Sequence, residues 1–174
     1  MPDSIVTFAT RGVLALNDAS GVVLTHTSQY ELGDFQGGPF PDVLNEVVDL
    51  QRRGVYLGSG FGDRIWPSGS FSAYLVLLTE TAPGTILQFI NGHGPYASGG
   101  ATPSTSVGGG AVRHLDLKIT WQVEGGTDQV LLLKKCRITP DSIAEASDGN
   151  KISFSWICKG EVWFNGALFC REIQ

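Results

Sequence analysis

Asp49-Leu-Gln-Arg-Arg-Gly-Val-Tyr-Leu-Gly-Ser-Gly-Phe-Gly-Asp-Arg-Ile-Trp-Pro-Ser-Gly-Ser-Phe-Ser-Ala-Tyr-Leu-Val-Leu-Leu78 decides how this chain is read. It reads as two strand-like runs around a long turn punctuated by Gly58, Gly60 and Gly62. The turn carries Tyr56, Phe61, Ile65 and Trp66, side chains that a solvated loop would not be expected to show. Large apolar groups at a hairpin tip gain burial only against a partner. The stretch therefore predicts a tip that docks on something. With no catalytic apparatus recognisable in the chain, it points to self-assembly.

Strand patterns continue on both sides. Leu115, Leu117, Ile119, Trp121 and Val123 alternate with His114, Asp116, Lys118, Thr120 and Gln122, which predicts a strand over 113–124 with one buried and one exposed face. Gly125-Gly126-Thr127-Asp128 supplies a turn, and Gln129 to Ile138 returns as the partner strand. A further strand covers Lys151 to Lys159, with Ile152, Phe154, Trp156 and Cys158 on one face. Asn165-Gly166, both tolerant of positive φ, closes a hairpin between 161–164 and 167–170. Val13 to Leu16 and Val22 to Thr27 flank another turn. One helix is expected at Pro83 to Asn91, capped by Thr81 and stopped by Gly92 and Pro95. Asp42 to Val48 is either a helical turn or the start of a strand, and a short helical turn is expected around Asp141 to Ala146. Tyr96 to Gly110, rich in Gly, Ser, Thr and Pro, reads as a loop. The expected fold is mainly β: one domain over 1–174, an antiparallel β-sandwich or barrel with one flanking α-helix and a long extended hairpin.

Composition bounds the function. The 174 residues are 42% apolar and 17% charged, with 23 glycines, which suits an all-β domain rich in tight turns. The net charge of −5 argues against tightly held nucleic acid but not against nucleic acid that passes without sticking. Cys136, Cys158 and Cys170 form no CxxC pair, so free buried thiols in a reducing cytosol are expected. No signal peptide is visible and no apolar run could cross a membrane as a helix, so a soluble protein made in a cytoplasm is expected.

The candidate chemistries are weak. Gly58-Ser59-Gly60-Phe61-Gly62 resembles a phosphate-cradling loop but opens no helix, as that mechanism requires. His26, His93 and His114 lack a second ligand at metal spacing. No Gly-x-Ser-x-Gly elbow exists, and the carboxylates are scattered. Lys134, Lys135 and Arg137, and separately Arg52 and Arg53, are short basic clusters that no stacking aromatics interleave. No enzyme activity, metal or cofactor is expected.

Taken in order, the elements resemble the major tail tube proteins of long-tailed bacteriophages. The residues that carry the likeness begin with Tyr30-Glu-Leu-Gly-Asp-Phe35. They continue through Val47-Val-Asp-Leu-Gln-Arg-Arg-Gly54, the Gly62-Asp63-Arg64 tip and Pro67-Ser-Gly-Ser-Phe-Ser72. The single helix, Cys136-Arg137-Ile138, 143–150 and Ile152-Ser-Phe-Ser-Trp156 complete it. The resemblance implies a β-sandwich with a flanking helix. Six copies would close a ring around a shared inner barrel, and rings would stack into a hollow tube for DNA ejection. It implies contacts between subunits or rings through Tyr56, Phe61, Asp63, Arg64, Ile65 and Trp66. Implied partners are further copies of the chain and other tail proteins (tape measure, terminator, distal tail), with DNA only as passing cargo. The location would be a virion tail assembled in a host cytoplasm. The same fold serves contractile injection tubes. The second reading is a β-sandwich binding module or capsid-decoration domain whose exposed aromatics stack on a ligand. A tail-terminator or head–tail joining ring comes third and a hydrolase last.

Overall fold

The alternation over 114–123 is a strand because its odd-numbered residues have a core to face. In the computed structural model, which describes residues 9–17, 23–28, 35–74, 86–91, 114–123, 125–145 and 151–170, Leu115, Leu117 and Ile119 are buried. Among the described residues, eleven strands and one helix follow in chain order. They are β1 (Ala9–Asn17), β2 (Val23–Ser28), β3 (Gln36–Gly38), β4 (Asn45–Arg52), β5 (Val55–Arg64) and β6 (Ser68–Tyr74). Then come α1 (Ile86–Asn91), β7 (Leu115–Val123), β8 (Gln129–Ala144), β9 (Lys151–Cys158), β10 (Val162–Phe164) and β11 (Ala167–Cys170). The fold class is as expected: mainly antiparallel β, a curled half-barrel sheet with one short helix.

Nine strands form the main sheet in the order β2-β1-β7-β8-β9-β6-β3, with β10 added to β8 and β11 to β10. The strand β8 is its spine. One edge pairs with β7, while the other pairs with β10 through Leu131–Leu133 and then with β9 from Cys136 onward. The change of partner coincides with a bulge. Lys135 adopts φ 54°, the β7–β8 register shifts between Leu115 and Leu117, and the Asp116 carboxylate accepts the Lys135 amide at 3.0 Å. The loop after β9 closes the gap, with Gly160 N donating to Lys134 O and Lys134 N to Glu161 O, both at 3.0 Å. A Cβ on Gly160 would lie 2.7 Å from Lys134 O, so only glycine lets the two backbones meet here.

The core lies on one face of this sheet, under α1. Ile86, Phe89 and Ile90 share the helix face expected from the i, i+3, i+4 spacing and are buried with Leu16, Leu117, Leu133, Phe154 and Trp156. The start of the expected helix and its Thr81 cap fall outside the described residues, as does the 96–110 loop.

Two expectations are corrected. The helical turn around Asp141 to Ala146 is the end of β8. Ser142, Ile143 and Ala144 pair with Ser153, Ile152 and Lys151 beyond a bulge at Pro140, and cross-strand pairing overrides the local preference. The hairpin turn is not the glycine run. It is Arg53-Gly54, with φ of 53° and 79°, and Gly58 to Gly62 lie inside β5. The run starting at Ser68 is therefore not the return strand of that hairpin. It is β6, paired with β9 and β3 in the main sheet.

Trp156 shows how sequence sets packing. Its indole stacks on Phe35 at 5.4 Å and lies over Gly37 and Gly69, which face each other across β3 and β6. A Cβ on Gly69 would come within 2.7 Å of the indole and 2.6 Å of Gly37 Cα. Gly69→Ala is expected to destabilise the subunit by about 1–3 kcal/mol through overpacking, read as a lower midpoint in urea unfolding at unchanged slope.

Candidate functional site: the β4–β5 hairpin

The hairpin β4–β5 is a two-stranded sheet of its own, hydrogen-bonded to neither edge of the main sheet. Its register runs Val47↔Phe61, Val48↔Gly60, Asp49↔Ser59 and Leu50↔Gly58. Val47, Leu50, Val55, Tyr56, Leu57 and Phe61 are each between 55% and 64% exposed, and these positions fall on both faces of the ribbon. An isolated two-stranded ribbon is marginal in water, so what holds this one matters. Ser59 Oγ donates to Asp49 Oδ1 at 2.6 Å, which leaves the Tyr56 hydroxyl to donate to Ser59 Oγ, also at 2.6 Å. That chain of polar groups crosses from one strand to the other.

The base of the hairpin is tied to the body. Ile65 N donates to Leu44 O at 3.0 Å and Asn45 Nδ2 to Gly62 O at 3.3 Å. Arg64 Nη2 donates to Lys159 O at 3.0 Å. The Trp66 ring holds the Arg64 guanidinium 4.0 Å from its centroid and the Lys159 ammonium 3.8 Å from it. Cys158 N donates to Pro67 O at 2.7 Å, which carries the tie into β9.

The six residues singled out from sequence therefore separate into two groups. Tyr56 and Phe61 project from the free part of the ribbon, and Asp63 is exposed near its base. Arg64, Ile65 and Trp66 form the anchor. Trp66 is not on a turn, and its ring is engaged by cations of its own chain. Sequence reading missed Val47, Val48, Leu50, Val55 and Leu57 as exposed apolar residues. Val47, Val48 and Leu50 occupy both parities of one strand, a signal that was there to be used. It also missed a second exposed apolar cluster on β10–β11, where Phe164 and Phe169 lie 6.1 Å apart beside Leu168.

Opposite the core, the main sheet presents small hydroxyls. Ser70 faces Ser155, which faces Thr139, and Ser72 faces Ser153, which faces Ser142. Asp116, Lys118, Thr120 and Gln122 continue this face on β7. Gln51, Ser70 and Ser72, expected to share one hairpin, belong to different sheets. A groove at the end of β8, lined by Leu87, Pro140, Ser142, Ile143 and Ile152, has one carboxylate, Asp141, which accepts from Ser155 Oγ at 2.8 Å.

Cys136, Cys158 and Cys170 are free and buried. Cys136 and Cys158 face each other across β8 and β9. Burial pushes the Cys136 thiol well up, whereas the hydrogen bond with Cys136 lowers Cys158. Burial raises Cys170 from 9.0 to about 11. Among the described residues, no three His, Cys, Asp or Glu side chains gather at a metal-binding position, and no helix is long and apolar enough to cross a membrane.

No protein-family model matches the chain, and no curated protein matches it by sequence. Among solved structures, it is similar to a chain in the cryo-EM structure of an extracellular contractile injection system, the PVC sheath–tube complex in its extended state. That match has a TM-score of 0.51 and 12% identity, covering 94% of this chain and 93% of the other. At this identity the likeness is one of fold.

Two outcomes are expected. Trp66→Ala removes the ring that both cations share, worth about 1–2 kcal/mol. Amide exchange over 45–64 should rise far more than exchange in β7 and β9, measured by mass spectrometry. Raising the folded pKa of Cys170 makes the folded state keep a proton that the unfolded chain loses. This contribution is complete below pH 9 and fades as pH climbs to about 11. Urea unfolding across that window should show a shallower decline for Cys170→Ala than for the wild type.

Proposed function

We propose that this chain is the repeating structural subunit of a hollow tube, a tail-tube-like protein with no catalytic role. The observation that carries this reading is the β4–β5 hairpin. It is outside the main sheet, exposes apolar side chains on both faces and, among the described residues, is tied to the body at its base, so its stability is completed by neighbouring copies. A ribbon of this kind on a monomer would invite uncontrolled pairing, and closing it into a ring consumes the exposed edges. The fold likeness to a sheath–tube complex supports the same reading.

In this proposal six copies close each ring, and stacked rings form the tube of a phage tail or related injection particle. Other tail components contact its ends. Tyr56, Phe61 and Asp63 make the contacts between copies, while Arg64, Ile65 and Trp66 set the angle of the ribbon. The hydroxyl-rich face of the main sheet lines the channel. Serine and threonine hydrate such a wall without holding phosphate, and the net charge of −5 repels DNA mildly, so DNA slides rather than binds.

Electron microscopy of the concentrated purified protein tests the reading, with rings or tubes expected and isolated monomers at every concentration sinking it. Tyr56→Ser with Phe61→Ser should shift the protein to monomer, since buried aromatic anchors contribute about 2–4 kcal/mol each to such contacts. Thr120→Lys with Gln122→Lys should leave tubes intact and slow DNA ejection, because every stacked ring repeats the added phosphate contacts. Undiminished ejection would remove this face from the channel.

A further inference from the structure

The two faces of the hairpin differ in a way that its own chain does not explain. On β5, Gly58, Gly60 and Gly62 alternate with Ser59 and Phe61, so one face of that strand carries no side chain from 58 to 62. Glycine in a strand interior weakens it, so three in alternation call for a cause. Gly62 has one, because a Cβ there would lie 2.7 Å from Val48 Cγ2. Gly58 has another, a φ of 150° that side chains rarely adopt. Gly60 has neither. It has no positive φ, and a Cβ at that position would meet nothing within 4 Å. Among the described residues, the space above Gly60 is left open, between Val48 across the ladder and Gly58 and Gly62 along the strand.

The opposite face of the same ribbon is bulky, with Val47 paired to Phe61. The bare strip of β5, flanked on that face by Val48 and Leu50 of β4, is complementary to the aromatic ridge on the other face when one ribbon lies on the next. Charge along the ribbon points the same way. Arg52 and Arg53 are exposed at the turn, and Glu46 and Asp63 are exposed near the base, roughly 20 Å away at strand rise. A copy laid antiparallel on the ribbon brings the basic end of each against the acidic end of the other.

We infer that the glycine face of β4–β5 is a slot for the bulky face of the same hairpin in a second copy of this chain, laid antiparallel to it. Such a contact is heterologous: donor and acceptor surfaces differ, so each bound copy leaves both a free ridge and a free slot for further copies. This rests on the assembly reading above and specifies its contact.

Gly60→Val separates the slot from folding. Valine favours strands and meets open space, so the dilute variant should keep a thermal midpoint at or above that of the wild type. Filling the slot should weaken assembly roughly tenfold to hundredfold, by sedimentation of the full chain over a concentration series. A second test leaves the strip untouched. Arg52→Glu with Arg53→Glu should impair assembly, and adding Glu46→Arg with Asp63→Arg should restore it. Wild type that assembles alongside an unimpaired Gly60→Val overturns the slot alone, as does a fourfold charge swap that restores nothing. A drop in the Gly60→Val monomer midpoint also overturns it, by showing that the space is not free. Wild type that never assembles overturns both this inference and the assembly reading.

Discussion

A strand that must serve two partners along one edge has to break its own ladder, and β8 does so at Lys134 and Lys135. The positive φ at Lys135 is an uncommon conformation for a residue with a long side chain. It persists because its amide is satisfied by Asp116 and because the neighbouring backbone groups are taken up by Lys159, Gly160 and Glu161. Remove that set and β8 can pair with β10 or with β9 in one continuous ladder, but not with both in turn. The position of Lys159 against the hairpin base follows from this displacement, because its amide donates to Lys135 O in the loop that fills the bulge.

The hairpin depends on that displacement at one remove. Lys159 presents its carbonyl to Arg64 and its ammonium to Trp66 because it lies in the loop that fills the bulge. The body therefore fixes where the ribbon starts, and the ribbon keeps its length free. This division separates two kinds of aromatic residue. Trp156, Phe154 and Phe71 are spent on the core, whereas Tyr56 and Phe61 are held out in solvent by a base that never touches them. The fold likeness to a chain of a sheath–tube complex extends over 94% of this chain.

Much of the framework was legible in the sequence, and the exceptions share a cause. Strands β7 and β9 show strict alternation because one face is buried and the other wet, and Asn165-Gly166 announces its turn through two residues that accept positive φ. Arg53-Gly54 makes a turn of the same type, but arginine gives no such signal. The glycines at 58, 60 and 62 then look like the turn instead. Of those glycines only Gly58 has a backbone conformation that calls for glycine, and none of them makes the turn, which is why a local reading misplaced them. The end of β8 was hidden in the same way, since Asp141 to Ala144 become strand only because 151–153 lie alongside. Aromatics at 56 and 61 drew attention to the hairpin, while the valines and leucines of β4 and β5 were not singled out.

Trp156, Gly37 and Gly69 share one volume: the indole fills the room that two absent side chains leave on facing strands. Bulk at any of these positions excludes bulk at the others, so they behave as one site in heredity though they are spread over 120 residues of chain. Relatives of this fold that have lost the tryptophan are free to place a side chain at the position of Gly37, but not at that of Gly69, where a Cβ would still lie 2.6 Å from Gly37 Cα. Gly37 and Trp156 should therefore change together, while Gly69 stays glycine wherever β3 and β6 approach this closely.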